Sequence, residues 1–355
     1  MSESKTRIGI VGLGTAAQTI HLPACSKLSN VEIVGGVDPG VDQRFDFPRF
    51  KDVTELIRAT EPQVIIVATP PNYHLAGVSD ALAGGCHVFC EKPFMNSLAD
   101  ARAAIAAAED AQRWVVINNE FRFMQIHRAA QQMIGKPEFG RLRHLSASQT
   151  FLVSGDTEAG WRGQDPRRTG KEFGIHVFDL CRFFFAEEPS RIYARMPRPD
   201  GPATPDLLNI IELEFSGDRA ALIELDRLSK GRHQYLNLRL DGERANVETR
   251  IGGALSASIG IRGGTRKPYF SADIAMGGRA DLVHGERTRR LATDPLDLFA
   301  NATSVLLGEM LDAIANNRPP PCNAADNINS LKLVFAAYES SAQRHPIDLA
   351  SFAEQ

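Results

Sequence analysis

The chain has 355 residues, 43% of them hydrophobic and 23% charged, with a formal net charge of −3. At roughly 150 residues per domain this length makes two domains, each large enough to bury a core without staples. The balance of charge, with an isoelectric point of about 6.3, excludes the strongly basic surface that nucleic acid or an anionic membrane would need in a partner.

Cys25, Cys86, Cys90, Cys181 and Cys322 are odd in number and lack metal-ligand spacing, which reads as buried free thiols in a reducing compartment. The nine histidines show no ligand spacing with Cys, Asp or Glu, so no metal site is expected. The start of the chain, Met1 to Thr6, is short and polar, and no apolar run is long enough to span a bilayer. The expectation is a cytoplasmic protein.

Residues 1–120 alternate short apolar runs with helical patterns, as βαβ units of a parallel sheet do. Strands are predicted at Arg7–Val11, Val31–Val37, Val64–Ala68, His87–Cys90 and Trp114–Ile117. Helices are predicted at Ala16–Leu28, with Pro23 bending or shifting it, at Tyr73–Ala83 before Gly84-Gly85, and at Ser97–Ala111. Residues 121–355 read differently. Helices are predicted at Phe121–Ile134 and Phe173–Phe185, and alternating stretches at Leu142–Leu152, Leu207–Phe215, Ala220–Asp226, Tyr235–Leu240 and Ala245–Ile251. Turns such as Asp241-Gly242 suggest antiparallel pairing. Two helices, Asn301–Asn316 and Ala325–Arg344, close the chain around a Pro319-Pro320-Pro321 loop, and the last is expected to pack back on the first domain. The fold class is therefore α/β: an N-terminal doubly wound parallel sheet, then an α+β domain with a large, mostly antiparallel open sheet.

The first strand runs into Gly12-Leu13-Gly14-Thr15-Ala16-Ala17, a G-x-G-x-x-A fingerprint. Gly12 permits a tight turn, and Gly14 lets the backbone approach a pyrophosphate. The helix that opens at Thr15 and Ala16 offers free N–H groups and a positive dipole end. Asp38 ends the second strand and could take both ribose hydroxyls of an adenosine. Its charge favours NAD, and nearby Arg44 leaves NADP open.

Two further strands end in Thr69-Pro70-Pro71-Asn72-Tyr73-His74 and in Glu91-Lys92-Pro93, at the edge where ligands bind in open α/β sheets. Together with His21-Leu22-Pro23, Asp38-Pro39, Trp161-Arg162 and Glu172-x-Gly174-x-His176-x-x-Asp179, these segments resemble the Gfo/Idh/MocA family of oxidoreductases (glucose–fructose oxidoreductase, inositol dehydrogenase, rhizopine catabolism) over most of the chain. The resemblance implies a Rossmann domain and a second domain whose sheet faces the nicotinamide across the substrate. It also implies homo-oligomers, dimers or tetramers, and a carbohydrate-like substrate that exchanges a hydride with NAD(P) at a hydroxyl or carbonyl carbon.

By position, Lys92 matches the family's catalytic lysine and His176 its acid/base histidine, while Glu172 stands where most members have aspartate. The resemblance also assigns Thr69, Pro70, Asn72, His74, Glu91, Lys92, Trp161 and Arg162 to the cofactor. Lys92, Trp161, Glu172 and His176 are assigned to the substrate. Chemically, an imidazole can take the hydroxyl proton and an ammonium can stabilise alkoxide character on the same oxygen. On a helix, Glu172 and His176 share a face, so the carboxylate could orient the imidazole or grip a neighbouring hydroxyl. Asp179 reads as a structural partner. Arg122, just past the last strand of the first sheet, is read either as a substrate contact or as half of a salt bridge.

Three departures stand out: Glu172 itself, the Arg167-Arg168-Thr169-Gly170-Lys171 run in place of a glycine-rich one, and a Pro39–Phe50 stretch too short for the usual helix. The basic cluster of Arg162, Arg167, Arg168 and Lys171 reads either as a recognition site for a substrate carboxylate or phosphate or as a solvated loop. Two other activities fit the same scaffold: a cofactor-binding regulator, and glycoside cleavage that recycles NAD in place.

Overall fold

The computed structural model describes residues 5–150, 163, 165–198, 201, 204–231, 234–252, 254–261, 268–275 and 277–352, with the backbone alone at 254–261 and 268–275. Trp161 and Arg162 lie outside the described residues.

Strands β1 (Thr6–Val11), β2 (Val31–Val37), β3 (Arg49–Phe50), β4 (Val64–Val67), β5 (His87–Cys90) and β6 (Val115–Ile117) form one parallel sheet in the order β3-β2-β1-β4-β5-β6. The central strand Val64–Val67 is buried throughout, as a strand covered on both faces must be. The strand order reverses between β1 and β4, and that switch point opens a crevice at the carboxyl ends. Gly12 closes the turn at this point, with φ +88°. A Cβ there would lie 2.7 Å from the backbone of Ala68 and Thr69.

The chain is helical from Thr15 to Ser26. A wider π turn occupies Ala17–His21, with the Leu22 N–H bonded to Ala17 O, and α1 (Leu22–Ser26) follows. Pro23 has no N–H to give to the preceding turn, and the wider turn absorbs that loss without ending the helix. No helix occupies the segment from Pro39 to Pro48. Two elements had no counterpart in the sequence reading, β3 and α2 (Val53–Thr60). Asp52 caps α2 by accepting from Glu55 N–H at 2.8 Å, and Glu55 accepts from Lys51 N–H at 2.9 Å. This reciprocal pattern is legible as Asp-x-x-Glu. Helices α3 (His74–Ala83) and α4 (Leu98–Asp110) complete the layer.

The expected helix over Phe121–Ile134 is split. A tight turn at Glu120–Phe123 is followed by an extended Met124 and then α5 (Gln125–Met133). Beyond it lie β7 (Leu142–Thr150), α6 (Ile175–Phe185), β8 (Arg191–Arg195), β9 (Leu208–Phe215), β10 (Arg219–Asp226), β11 (Gln234–Gly242) and β12 (Asn246–Ile251). Next come β13 (Ala254–Ile261), β14 (Pro268–Ala275), β15 (Gly278–His284), β16 (Arg287–Asp294), α7 (Leu298–Ala315), α8 (Ala324–Gln343) and β17 (Ile347–Asp348). Nine of these strands make one sheet, β16-β15-β12-β11-β7-β10-β9-β8-β17, antiparallel at every join except β7–β10. β13 and β14 pair separately as a hairpin. The alternation is as read: Ile211, Leu213, Ile223, Leu225, Leu236, Leu238 and Leu240 face the core. The β11–β12 reversal falls at Glu243-Arg244 rather than at Asp241-Gly242, because Asp241 and Gly242 remain paired with His144 and Leu142.

Both C-terminal helices return to the first domain. α7 packs on α1 and the π turn before it, and α8 packs on α4, β6 and α6. Ile117 N–H bonds Cys322 O at 2.9 Å beside the Val116–Asn323 bridge. α7 is long and apolar enough to cross a membrane by composition, but Leu306, Leu307, Met310 and seven other apolar or small side chains along it are packed inside the fold. Gly12→Ala should lower stability by about 1–3 kcal/mol, since it adds both a strained φ and a clash. Urea unfolding checks this, and an unchanged midpoint would contradict the reading of the turn.

Candidate active site

The glycine loop is braced from β2. Asp38 accepts from Leu13 N–H through Oδ2 and from Gly40 N–H through Oδ1, each at 2.8 Å. Each oxygen keeps a lone pair free for a ribose hydroxyl. A Cβ at Gly14 would meet nothing within 4 Å, and Thr15 is exposed at the helix start. That open backbone lip fits a pyrophosphate.

The Thr69–His74 and Glu91–Pro93 loops are tied together by His74. Its Nδ1 lies 3.0 and 3.1 Å from the carbonyls of Pro93 and Phe94, and its Nε2 lies 2.9 Å from that of Thr69. Both ring nitrogens are thus occupied by backbone, in a fully buried side chain. Thr69 and Pro70 are half-buried, and the exposed Asn72 accepts from Asn96 Nδ2 at 2.7 Å. A cleft of about 400 Å³ lies between these loops and the second domain, bounded by Pro71, Asn72, Pro93, Asn96, Asp165, Pro166, Lys171 and Glu172.

Glu91 points inward. Its Oε1 meets His21 Nε2 and Asn118 Nδ2, both at 2.8 Å, and its Oε2 accepts from Lys92 N–H at 3.2 Å. Asn118 in turn accepts from Thr303 Oγ1 on α7 at 3.2 Å. Burial alone would raise this carboxyl's pKa, but the His21 hydrogen bond, the positive fields of His21 and Lys92, and Asn118 together hold it at about 2. Glu91 therefore braces the backbone that presents Lys92. The Lys92 side chain crosses the cleft, and its Nζ donates to the Glu172 carbonyl at 3.0 Å.

Glu172 and His176 lie on one continuous helix that starts at Arg168. A π turn at Thr169–Gly174, with Ile175 N–H bonded to Gly170 O, precedes α6. Asp206 holds that turn, accepting from Thr169 N–H at 2.9 Å, Gly170 N–H at 3.2 Å and the Tyr338 hydroxyl at 2.6 Å. Gly170 admits the tyrosine, because a Cβ there would stand 2.6 Å from its oxygen. His176 is buried and stacks on Phe121, with centroids 3.9 Å apart and planes 9° apart. Its Nδ1 is buried with no hydrogen-bond partner among the described residues. Burial, then the Lys92 charge, pushes its pKa well below the ordinary imidazole value. The Glu172 carboxylate turns back to Arg168 Nε, 3.1 Å away.

Two cations of the basic run are paired with carboxylates, Lys171 with Asp165 at 2.8 Å and Arg168 with Glu172, and Arg167 lies over the Tyr338 ring. Arg122 is clamped by Asp179 in a two-point pair at 2.6 Å on each side and meets Asp326 at 3.1 Å. This is the salt-bridge alternative, and it bolts the end of β6 to α6 and α8.

Three groups were missed in the sequence: the buried Glu120 and Asn119, and the half-buried Tyr235. Glu120 Oε2, both side-chain polar atoms of Asn119, and Thr69 Oγ1 are buried without partners among the described residues. Unpaired groups of this kind cost about 1–3 kcal/mol each unless a polar ligand satisfies them. Their position at the ends of β4 and β6 suits such a ligand. Among the signals available, only the position of Asn119 and Glu120 directly after the last parallel strand could have picked them out.

A stability measurement tests the role of Glu91. Its folded pKa is depressed from an ordinary 4.5 to about 2, so its contribution is full near neutrality and is lost as pH falls through that window. The stability advantage of the wild type over Glu91→Gln should therefore shrink across that range. A pH-independent difference in thermal midpoint would refute the pairing.

A family model described as an oxidoreductase family with an NAD-binding Rossmann fold matches residues 6–119, and the Gfo/Idh/MocA C-terminal domain model matches residues 127–248. The chain is 24% identical over 355 residues to a D-apiose dehydrogenase of Paraburkholderia graminis, covering 96% of this chain and 89% of that protein. It is 24% identical over 298 residues to a 1,5-anhydro-D-fructose reductase of Ensifer adhaerens, covering 82% and 80% respectively. Its fold is similar to an oxidoreductase from Agrobacterium radiobacter solved with NAD+, L-tartaric acid and magnesium, with a TM-score of 0.81 at 18% identity over 98% of this chain and 99% of that one. The chain belongs to the Gfo/Idh/MocA family of NAD-binding oxidoreductases.

Proposed function

We propose that this enzyme oxidises a secondary hydroxyl of a neutral sugar or polyol, or reduces the matching carbonyl, with residues 1–120 holding NAD and residues 121–355 holding the substrate. The carrying observation is that Lys92, from the first domain, reaches the turn of the second that carries Glu172 and His176. The relatives named for apiose and anhydrofructose support a carbohydrate-like substrate. A neutral one is favoured because Lys171 and Arg168 are already paired with Asp165 and Glu172.

Bound NAD supplies the hydride acceptor or donor. The rest falls to side chains. His176, unprotonated near neutrality, accepts the hydroxyl proton as hydride leaves the carbinol carbon, and it returns that proton in the reverse direction. Lys92 spends one N–H on the Glu172 carbonyl and has two left for the reacting oxygen, where its charge stabilises developing alkoxide. Asp38 favours NAD over NADP, since a carboxylate held at the end of β2 would repel a 2′-phosphate.

The outward face of the large sheet exposes Ile210 and Leu222, and we assign it to homo-oligomer contacts. All five thiols are free and buried, which suits the cytoplasm. The test is a screen of neutral sugars and polyols for reduction of NAD, followed by Lys92→Ala on the best substrate. Turnover should fall on the order of 10²–10³-fold while NAD affinity, read by fluorescence quenching, holds. A variant as fast as the wild type would overturn the mechanism.

A further inference from the structure

Glu120 is the buried acid that the mechanism leaves unused. It follows β6 directly, only 3% exposed, in the tight turn whose next residue, Phe121, carries the His176 ring. Its Oε2 is buried with no partner among the described residues, while its carboxyl receives its own backbone N–H. The charged and titratable groups bearing on it are Glu91 and Lys92 from the end of β5, Asp179 from α6 and the Tyr235 hydroxyl from β11. Arg122 is already matched by Asp179 and His21 by Glu91, so neither is committed to Glu120.

We infer that Glu120, beside Lys92 and the Phe121–His176 stack, is a substrate-binding residue that stands as a neutral carboxylic acid and donates its proton in a hydrogen bond to a hydroxyl oxygen of the bound sugar or polyol. The inference rests on the dehydrogenase reading above and names a group that recognises a ligand hydroxyl. A carboxylate could only accept there and would repel an acidic sugar, whereas a carboxylic acid both donates and accepts. Its environment supports the neutral form: burial first, then the nearby Glu91 charge, pushes its pKa up to about 8 against the opposing field of Lys92. Its unpartnered O–H gains an acceptor when a polyol binds.

The test uses the full chain saturated with NAD and the best sugar for the wild type. Glu120→Ala should raise KM about 10–100-fold, with a smaller effect on kcat and none on NAD affinity. Glu120→Gln, which keeps a donor, should restore KM at neutral pH. It should also remove the rise in KM that the wild type shows as pH passes about 8. Far-UV circular dichroism and NAD affinity establish that both variants fold. An unchanged KM in Glu120→Ala, or the same alkaline rise in Glu120→Gln, would overturn the inference. Should the wild type reduce NAD with no sugar, the dehydrogenase reading fails on its own account. The Glu120 assignment is then decided by infrared spectroscopy of the NAD-bound protein with glucose or glycerol added. A protonated-carboxyl band that is absent from Glu120→Gln and shifts with the polyol supports it, and a band that is missing or unmoved overturns it.

Discussion

A carboxylate sealed from water has to be answered inside the protein, and Glu91 imposes that condition on the whole site. Burial of an unpaired charge is prohibitive, so the fold brings His21, Asn118 and the Lys92 backbone to it. Those partners come from the first helix, β6 and the neighbouring turn, and Thr303 on α7 extends the network across the domain boundary. Lys92 is thereby anchored at its backbone while its ammonium reaches across the cleft. An arrangement of this kind confers the preorganisation that electrostatic catalysis needs, because the supporting charges are fixed before substrate arrives.

The second domain answers with a similar device. Asp206, buried among Thr169, Gly170, Asn209 and Tyr338, fixes the π turn from which Glu172 offers its carbonyl and which leads into the helix that carries His176. Arg122 and Asp179 bolt the same helix to the end of the parallel sheet. Neither network touches the cleft through its own charges, yet both set where the reacting groups stand. Thr69, Asn119, Glu120 and His176 each carry a buried polar atom with no partner among the described residues, which a ligand could satisfy. Sites of this type carry a cost in stability that binding offsets.

What the sequence could show follows from the range of each interaction. The glycine loop, Asp38 and the Lys92 turn were legible because strand ends and positive-φ turns are local, and strand order in a parallel sheet brings their tips together. His21 and Glu91 matched family motifs separately, but nothing in the linear text joined them, since the pair spans 70 positions. Asp206 and Tyr338 are 132 positions apart, and each alone reads as an ordinary loop acid and an ordinary core aromatic. Helical spacing suggested that Glu172 would orient His176. The structure instead sends the Glu172 side chain to Arg168, four residues back, and uses its backbone oxygen for Lys92. Glu120 was passed over because its chemistry comes from neighbours on β5, α6 and β11 rather than from its own segment.

The central claim is that an ammonium and an imidazole from two domains converge on one substrate oxygen. A crystal structure with NAD and a slow or dead-end polyol analogue tests it most directly. The account predicts Lys92 Nζ and a His176 ring nitrogen both within hydrogen-bond reach, about 2.6–3.2 Å, of the same hydroxyl, whose carbon faces the nicotinamide. An analogue bound with either group turned away from that oxygen, or lodged outside the cleft between Asn72 and Glu172, would contradict it.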